Sequence, residues 1–334
     1  MNALPELREQ GRLGTERLSS PLVVDLDPTT VCDLACPECI SADVLHNGQL
    51  GRDRIVRLAE ELAGSEVRAV ILIGGGEPLL HRSIGEVMEV LHGAGIDIGL
   101  VTNGTQIRRH LDRLAETVSW VRVSMDAGTE ATYGRFRPGR GKRNHFSQVI
   151  ENMRLLAERK SGRIGYSFLL MQRFDAEGQV VDSNFKAMLD DDHFMVNQRA
   201  EDIALVEEQL DRLRELEDPG FHLLSSSNWE AVRVGADSVQ DKDCHRCHVA
   251  ELRTTVTPSG VYVCPYHRGN EGSRIGDISN ASFAETWAAA DTTAIDPNRD
   301  CRFGCARNAT NLTVAGLRDR TGTARLADDF DPFI

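Results

Sequence analysis

Short apolar runs rich in Val, Ile and Leu alternate with segments of helical periodicity along the first two-thirds of the chain. The runs Leu22–Asp27, Val67–Ile73, Ile96–Thr102, Trp120–Met125, Ile164–Met171 and His193–Val196 read as strands, several of them apolar enough to be covered on both faces. Apolar residues recur at helical spacing near Arg54–Ala63, Ile84–Leu91, Ile107–Ala115 and Phe146–Glu158, and again at Glu201–Glu217. Repeated strand–helix units predict an α/β fold with a parallel sheet and right-handed crossovers. Six such strands predict a partial (β/α)6 barrel, open on one side, with its chemistry at the C-terminal strand ends. After about Gly220 helical periodicity fades, and five of the eight cysteines follow among turn residues. The pattern therefore divides the chain into a barrel over residues 1–220 and a C-terminal, metal-organised region over residues 235–334.

Composition narrows the class without naming a chemistry. With 334 residues and 41% hydrophobic content, the chain can bury a large core. A net charge of −13 argues against non-specific binding to nucleic acid or an anionic membrane surface. No apolar run approaches the roughly 20 residues of a membrane span, and the start "MNALPELREQGRLG" lacks the apolar core of a secretory signal. Eight cysteines without such a signal favour metal ligation over disulfides, and with it a cytoplasmic location.

The candidate chemistry sits at predicted strand ends. "TTVCDLACPECI" places Cys32, Cys36 and Cys39 just behind the first strand in a C-x3-C-x2-C spacing. Three thiolates suit a [4Fe–4S] cluster held through three of its irons. The alternatives are three structural cysteines or part of a zinc site, which in closed form takes four ligands where this stretch offers three. "ILIGGGEPLL" ends the second apolar run with Gly75, Gly76, Glu77 and Pro78. On its own this would be a strand-to-helix turn. "VTNGT", with Asn103 and Gly104, follows the third strand, and "RVSMDAGTEATY" puts Ser124 and Asp126 at the end of the fourth. Each of these polar residues also has a turn or helix-cap explanation.

Together the cysteine and glycine motifs resemble the radical SAM superfamily. The resemblance implies that Cys32, Cys36 and Cys39 bind a [4Fe–4S] cluster and that S-adenosylmethionine (SAM) occupies its open iron. It further implies that Gly75, Gly76, Glu77 and Pro78, with Asn103, Ser124 and Asp126, bind SAM. An external electron donor such as flavodoxin or ferredoxin is implied as well. The chain departs from the family in carrying Glu38 where an aromatic residue usually precedes the third cysteine. That places adenine stacking in doubt.

The tail, "CHRCHVAELRTTVTPSGVYVCPYHRG" followed by "CRFGC", is similar to the twitch/SPASM region of radical SAM enzymes. The resemblance implies one auxiliary [4Fe–4S] cluster on Cys247, Cys264, Cys301 and Cys305. One residue is missing from the usual spacing between the TPSG glycine and Cys264. Cys244 is left over as a ligand, a hydrogen-atom donor or an inert thiol. "CHRCH" keeps a zinc site open for this tail.

The basic run "GRFRPGRGKR" follows the fourth strand's mouth, which makes Arg137 a substrate-binding candidate for an anionic group; the alternative is a solvated loop. Asn197 and Arg199, after the sixth expected strand, are comparable. About 20 residues precede the first strand, which favours a small molecule over a peptide needing a recognition module. The layout most resembles enzymes of sugar-antibiotic pathways: aminocyclitol dehydrogenases, aminoglycoside epimerases, diol dehydratases and enzymes of cytosylglucuronic acid. A 5′-deoxyadenosyl radical would then abstract hydrogen from a sugar or nucleoside substrate, with dehydration or decarboxylation ahead of dehydrogenation, epimerisation or peptide maturation.

Overall fold

The computed structural model describes residues 18–37, 39, 41–167, 173–174, 180–181, 200–219, 221–224, 244–301, 305 and 307–318. The strands are β1 (Val23–Leu26), β2 (Ala69–Leu72), β3 (Asp97–Thr102), β4 (Trp120–Ser124), β5 (Gly162–Ser167), β6 (Arg173–Phe174), β7 (Val180–Val181), β8 (Phe221–Leu224), β9 (Arg253–Thr257), β10 (Gly260–Tyr262) and β11 (Arg274–Gly276). Nine of them form one sheet in the order β11-β10-β9-β1-β2-β3-β4-β5-β8, while β6 and β7 pair separately. From β9 to β8 every pairing is parallel. The mostly parallel α/β architecture expected from the sequence is therefore the one observed.

The helices Arg52–Ala63, Ile84–Gly93 and Phe146–Ala157 lie where the periodicity placed them because one apolar stripe of each is buried in the core. Arg52–Ala63 buries Ile55, Leu58, Ala59 and Leu62, and Ile84–Gly93 buries Ile84, Val87, Met88 and Leu91. They join Val24, Leu26, Val70, Leu72, Ile98 and Leu100 in one core. The alternate strand residues Val23, Ala69 and Ile71 form a second cluster with Val101 and Trp120 on the opposite, concave face. Phe146–Ala157 carries a polar residue on its buried stripe: Asn152 donates from Nδ2 to the Gly104 carbonyl at 2.8 Å. The expected helix Ile107–Ala115 is split into a tight turn, Ile107–His110, and a helix, Leu111–Thr117.

The strand beside β5 is β8, at Phe221–Leu224. The expected strand His193–Val196 lies outside the described residues, as do Asn197 and Arg199. The C-terminal part contributes β9, which pairs in parallel with β1 from Val23–Arg253 to Leu26–Val256. β9 and β10 form a hairpin across the Thr257–Gly260 turn, with Gly260 at a φ of 144°. A further helix, Phe283–Ala289, docks on the barrel's first helix: the Phe283 amide donates to Glu61 at 2.8 Å, and Arg54 reaches the Ile278 carbonyl at 2.6 Å. Buried Trp287 donates to the Leu18 carbonyl at 3.0 Å. No helix among the described residues is long and apolar enough to cross a membrane.

Candidate cofactor site and C-terminal cysteine pocket

The loop after β1 carries Cys32, Cys36 and Cys39, and the glycine-rich turn after β2 lies directly against it. Amides of Gly76 and Glu77 donate to the carbonyls of Thr29 (3.0 Å) and Val31 (2.8 Å). A Cβ on Gly76 would stand 2.2 Å from the Val31 oxygen, so the approach of the two backbones itself excludes any side chain there. Glu77 turns inward. Its carboxylate accepts from the Leu79 amide (3.1 Å), the Thr102 hydroxyl (2.7 Å) and the Asn103 amide (2.7 Å). Burial nevertheless pushes its pKa up to about 7. Glu77 thus ties the end of β2 to the end of β3, and Pro78 opens the short turn that follows.

Asn103, directly after β3, is in reach of the cysteine loop. Its Nδ2 donates to Asp33 at 2.7 Å and stands 3.9 Å from Cys32 Sγ. Thr105 (2.7 Å) and Gln106 (3.0 Å) complete the ring of donors around Asp33. Sequence reasoning passed over Asp33; its one signal was an acidic residue directly between Cys32 and a buried leucine. Ser124 is half-buried at the end of β4. Asp126 is buried at a φ of 50° and accepts from Arg137.

Arg137, expected as a substrate contact or a solvated loop residue, is largely buried and stands with Nη1 3.9 Å from Cys36 Sγ. The basic run is laced to the cysteine loop by backbone bonds, Ala35 N to Pro138 O (2.8 Å) and Arg140 N to Asp33 O (3.2 Å).

The four tail cysteines of the expected auxiliary site come from four separate stretches. Cys247 precedes the turn His248–Glu251, Cys264 precedes Pro265–His267, Cys301 closes Pro297–Asp300, and Cys305 precedes the last helix, Asn308–Arg318. All four line one cavity, together with Val249, Val263, His267, Ile295 and Arg307. His267 Nε2 is 3.4 Å from Cys301 Sγ. Cys244 is absent from that lining; its thiol accepts from buried Asn311 at 3.2 Å. Among the residues the sequence reading missed here, His267 had a signal in the Cys264-x2-His267 spacing.

A buried charge chain joins this pocket to the barrel. Asp25 on β1 receives two hydrogen bonds from Arg253 (2.9 and 2.6 Å) and one from Arg307 (2.9 Å). Arg307 Nη1 also stands 3.7 Å from Cys264 Sγ. The two arginines hold Asp25 below the usual carboxylate range despite complete burial. Asp27, the next residue on the same face, pairs with Arg268 at 3.4 Å, and burial raises it to about 6. Arg268 reaches on to Ser41, in the cysteine loop, at 3.2 Å. Two aspartates at alternating positions in "VVDLD" were the sequence signal for this concave-face chain.

The thiol donors have the chemistry of the iron–sulfur group that the motifs imply, although among the described residues no three His, Cys, Asp or Glu side chains stand as a ready-made metal cluster. All eight cysteines are free thiols. Burial foremost, with smaller contributions from neighbouring negative groups (Glu77, Asp33 and Cys36 for the former, Cys264 and Cys305 for the latter), pushes Cys32 and Cys247 up to about 12. Thiols gathered and desolvated in this way are costly to ionise alone and are compensated by bound metal charge. Arg137 Nε and Tyr133 Oη are buried beside the first set without hydrogen-bond partners in the protein.

A cysteine-bearing loop and a glycine turn meet at the C-terminal ends of adjacent parallel strands, which makes this an α/β protein with its candidate chemistry at the strand ends. The family model of the Radical SAM superfamily matches residues 26–182 of the chain. The family uses a [4Fe–4S] cluster and SAM. A GTP 3′,8-cyclase of Chlorobaculum tepidum is 35% identical over 134 residues, 39% of each chain. The mycofactocin maturase MftC of Mycobacterium tuberculosis is 23% identical over 296 residues, 85% of this chain and 74% of its own. The chain matches 33–53% of the length of the GTP 3′,8-cyclases it resembles. The fold is shared with anSMEcpe with bound AdoMet (TM-score 0.54, 15% identity, 90% of this chain and 96% of that one). It is shared equally with Streptococcus suis SuiB bound to its precursor peptide SuiA (TM-score 0.54, 14% identity, 86% and 67%).

Proposed function

We propose that this chain is a radical SAM enzyme that removes a hydrogen atom from a sugar-containing small molecule, with dehydration or decarboxylation as the outcome. The observation that carries the enzymatic reading is the docking of the Gly76 and Glu77 amides on Thr29 and Val31, in the loop that carries three free thiols, at adjacent strand ends. Cys32, Cys36 and Cys39 would hold the cluster. Bound together, cluster and SAM supply one-electron cleavage of SAM and a 5′-deoxyadenosyl radical. The protein's own part is positioning. Asp33, Asn103 and Thr105 fix the cysteine loop, Gly76 lets the glycine turn approach it, and Ser124 stands at the neighbouring mouth. Cys247, Cys264, Cys301 and Cys305 would hold one auxiliary [4Fe–4S] cluster. An external low-potential protein such as flavodoxin or ferredoxin would deliver the electron.

A sugar or nucleoside substrate is supported by the likeness of the "VSMDAGTEATY" segment and the four-cysteine tail to sugar-antibiotic enzymes, and cytosylglucuronic acid among such substrates by overall length and layout alone. A second reading, a peptide-modifying maturase, is favoured by the match to the mycofactocin maturase across 85% of the chain. Mass spectrometry of an anaerobic reaction with SAM, dithionite and cytosylglucuronic acid tests both. 5′-Deoxyadenosine with a product lighter by one water supports dehydration, and loss of carbon dioxide supports decarboxylation. Loss of two hydrogens keeps the substrate and makes the enzyme a dehydrogenase. No 5′-deoxyadenosine above the substrate-free control rejects this substrate and moves the assay to aminoglycosides and precursor peptides.

A further inference from the structure

We propose that Arg137 is a positioning residue that sets the charge at the first cysteine loop: aimed by Asp126, its guanidinium faces Cys36 and raises the reduction potential of a cluster bound there. The inference rests on the cluster assignment above and goes beyond it in giving this arginine a role toward the metal group.

Four observations converge on the role. The helix Glu130–Phe136 opens with a reciprocal cap between Thr129 and Thr132, and the Arg137 amide closes it on the Tyr133 carbonyl at 2.7 Å. The arginine therefore leaves a fixed helix end. Asp126, its partner, holds a left-handed φ of 50°, a conformation costly for a residue with a side chain and retained where the surroundings impose it. Residues 33–35 are bonded through their backbone to 138–140, and Leu34 bridges to Gly139, so guanidinium and cysteine loop are fixed relative to each other. Finally, Arg137 Nη2 is taken by Asp126, Nη1 faces Cys36 Sγ at 3.9 Å, and Nε is buried without a protein partner.

The loop also carries Asp33, with Glu77 buried behind it. Three thiolates added to those carboxylates would concentrate negative charge in a poorly hydrated place. A buried cation with N–H groups directed at a ligand sulfur favours the more negative, reduced state of a cluster. The tail pocket repeats the arrangement: Arg307 is held by Asp25 and faces Cys264 Sγ.

The test is an EPR-monitored redox titration of anaerobically reconstituted full-length protein, comparing wild type, Arg137→Lys, Arg137→Met and the double variant Asp126→Asn/Arg137→Met. The double variant removes both buried charges, which covers the case where Arg137→Met alone fails to fold. Iron and sulfide content, and the change in the EPR signal on adding SAM, establish the cluster independently of turnover. With iron content unchanged, loss of the cation should lower the midpoint so that the reduced-to-oxidised ratio at fixed potential falls about tenfold, about 59 mV for one electron. Arg137→Lys should recover part of it. A reduced-to-oxidised ratio at fixed potential within threefold of wild type, in variants that load iron normally, overturns the inference. A raised KM with an unmoved midpoint overturns it too and returns Arg137 to substrate binding. Wild-type protein that takes up no iron overturns the cluster assignment, and the inference with it.

Discussion

The two cysteine sets are built by opposite means. The first occupies a single eight-residue stretch, Cys32–Cys39, on a loop whose position is imposed by its neighbours: Asp33 held by the loop after β3, and the backbone of 33–35 held by the basic run. The second gathers four thiols from positions as far apart as Cys247 and Cys305, in a pocket walled by Val249, Val263 and Ile295. Its geometry depends on the pairing of β9 with β1 and on the salt-bridged chain Arg253–Asp25–Arg307. A local set can be loaded by the loop that carries it; a dispersed set exists only once the tail has joined the sheet. Both use one buried arginine between an aspartate and a cysteine thiol, so the charge solution is common although the construction is not.

The comparison is most sharply broken by Cys36→Ala. It should abolish SAM cleavage while leaving iron in the tail pocket, read by iron analysis and by loss of the SAM-induced EPR change. Retained cleavage would mean that the local set is not the reactive one. Next in size is Asp25→Asn, which leaves Arg253 and Arg307 facing each other around a neutral amide. Removing one partner of a buried ion group costs about 3–5 kcal/mol, so the urea midpoint should fall steeply and tail iron should decline with it. A loss confined to the tail iron, with unchanged stability, would show that the chain serves the pocket and not the β1–β9 junction.

Glu77→Gln probes the first set through pH. The Glu77 carboxyl lies at about 7 in the folded state against an ordinary 4.5. The folded protein therefore holds this proton more tightly than the unfolded chain. The stability it contributes is present below pH 4.5 and is lost as pH rises through 7. Metal-free wild type should lose on the order of 1–3 kcal/mol over that window, and the glutamine variant should lack this component. Asp27, raised to about 6, gives a slope of the same sign that remains in both. Parallel pH profiles for the two proteins would reject the assignment. The smallest effect is expected of Cys244→Ser: one contact to Asn311 is weakened, about 1 kcal/mol, and tail iron stays constant because Cys244 does not line the pocket. A fall in tail iron would make Cys244 a ligand.

Much of the barrel was legible because its information is short-range. β1 to β4 and four of the five helices between residues 52 and 157 follow from runs and periods of apolar residues, and the first cysteine set and the glycine turn are contiguous motifs. The tail was harder to read. "RTTVT" and "GVY" are short and partly polar, and they become strands because β1 offers a free edge and Asp25 supplies a counter-charge for Arg253. Arg137 was misleading for the same reason: within a basic run it looks solvated or free to meet a substrate, and only the fold carries it beneath the cysteine loop.

The chain by itself determined the alternation of strands and helices, the identity of the motif cysteines and the glycine that lets two backbones meet. These depend on side-chain period and on the absence of a Cβ, properties of neighbouring residues. Tertiary structure decided which charges are compensated, which of the five tail cysteines share a cavity, and that the C-terminal segment extends the barrel's own sheet. Those outcomes depend on desolvation and on contacts between residues hundreds of positions apart, such as Asp25 with Arg307, and no local pattern encodes them.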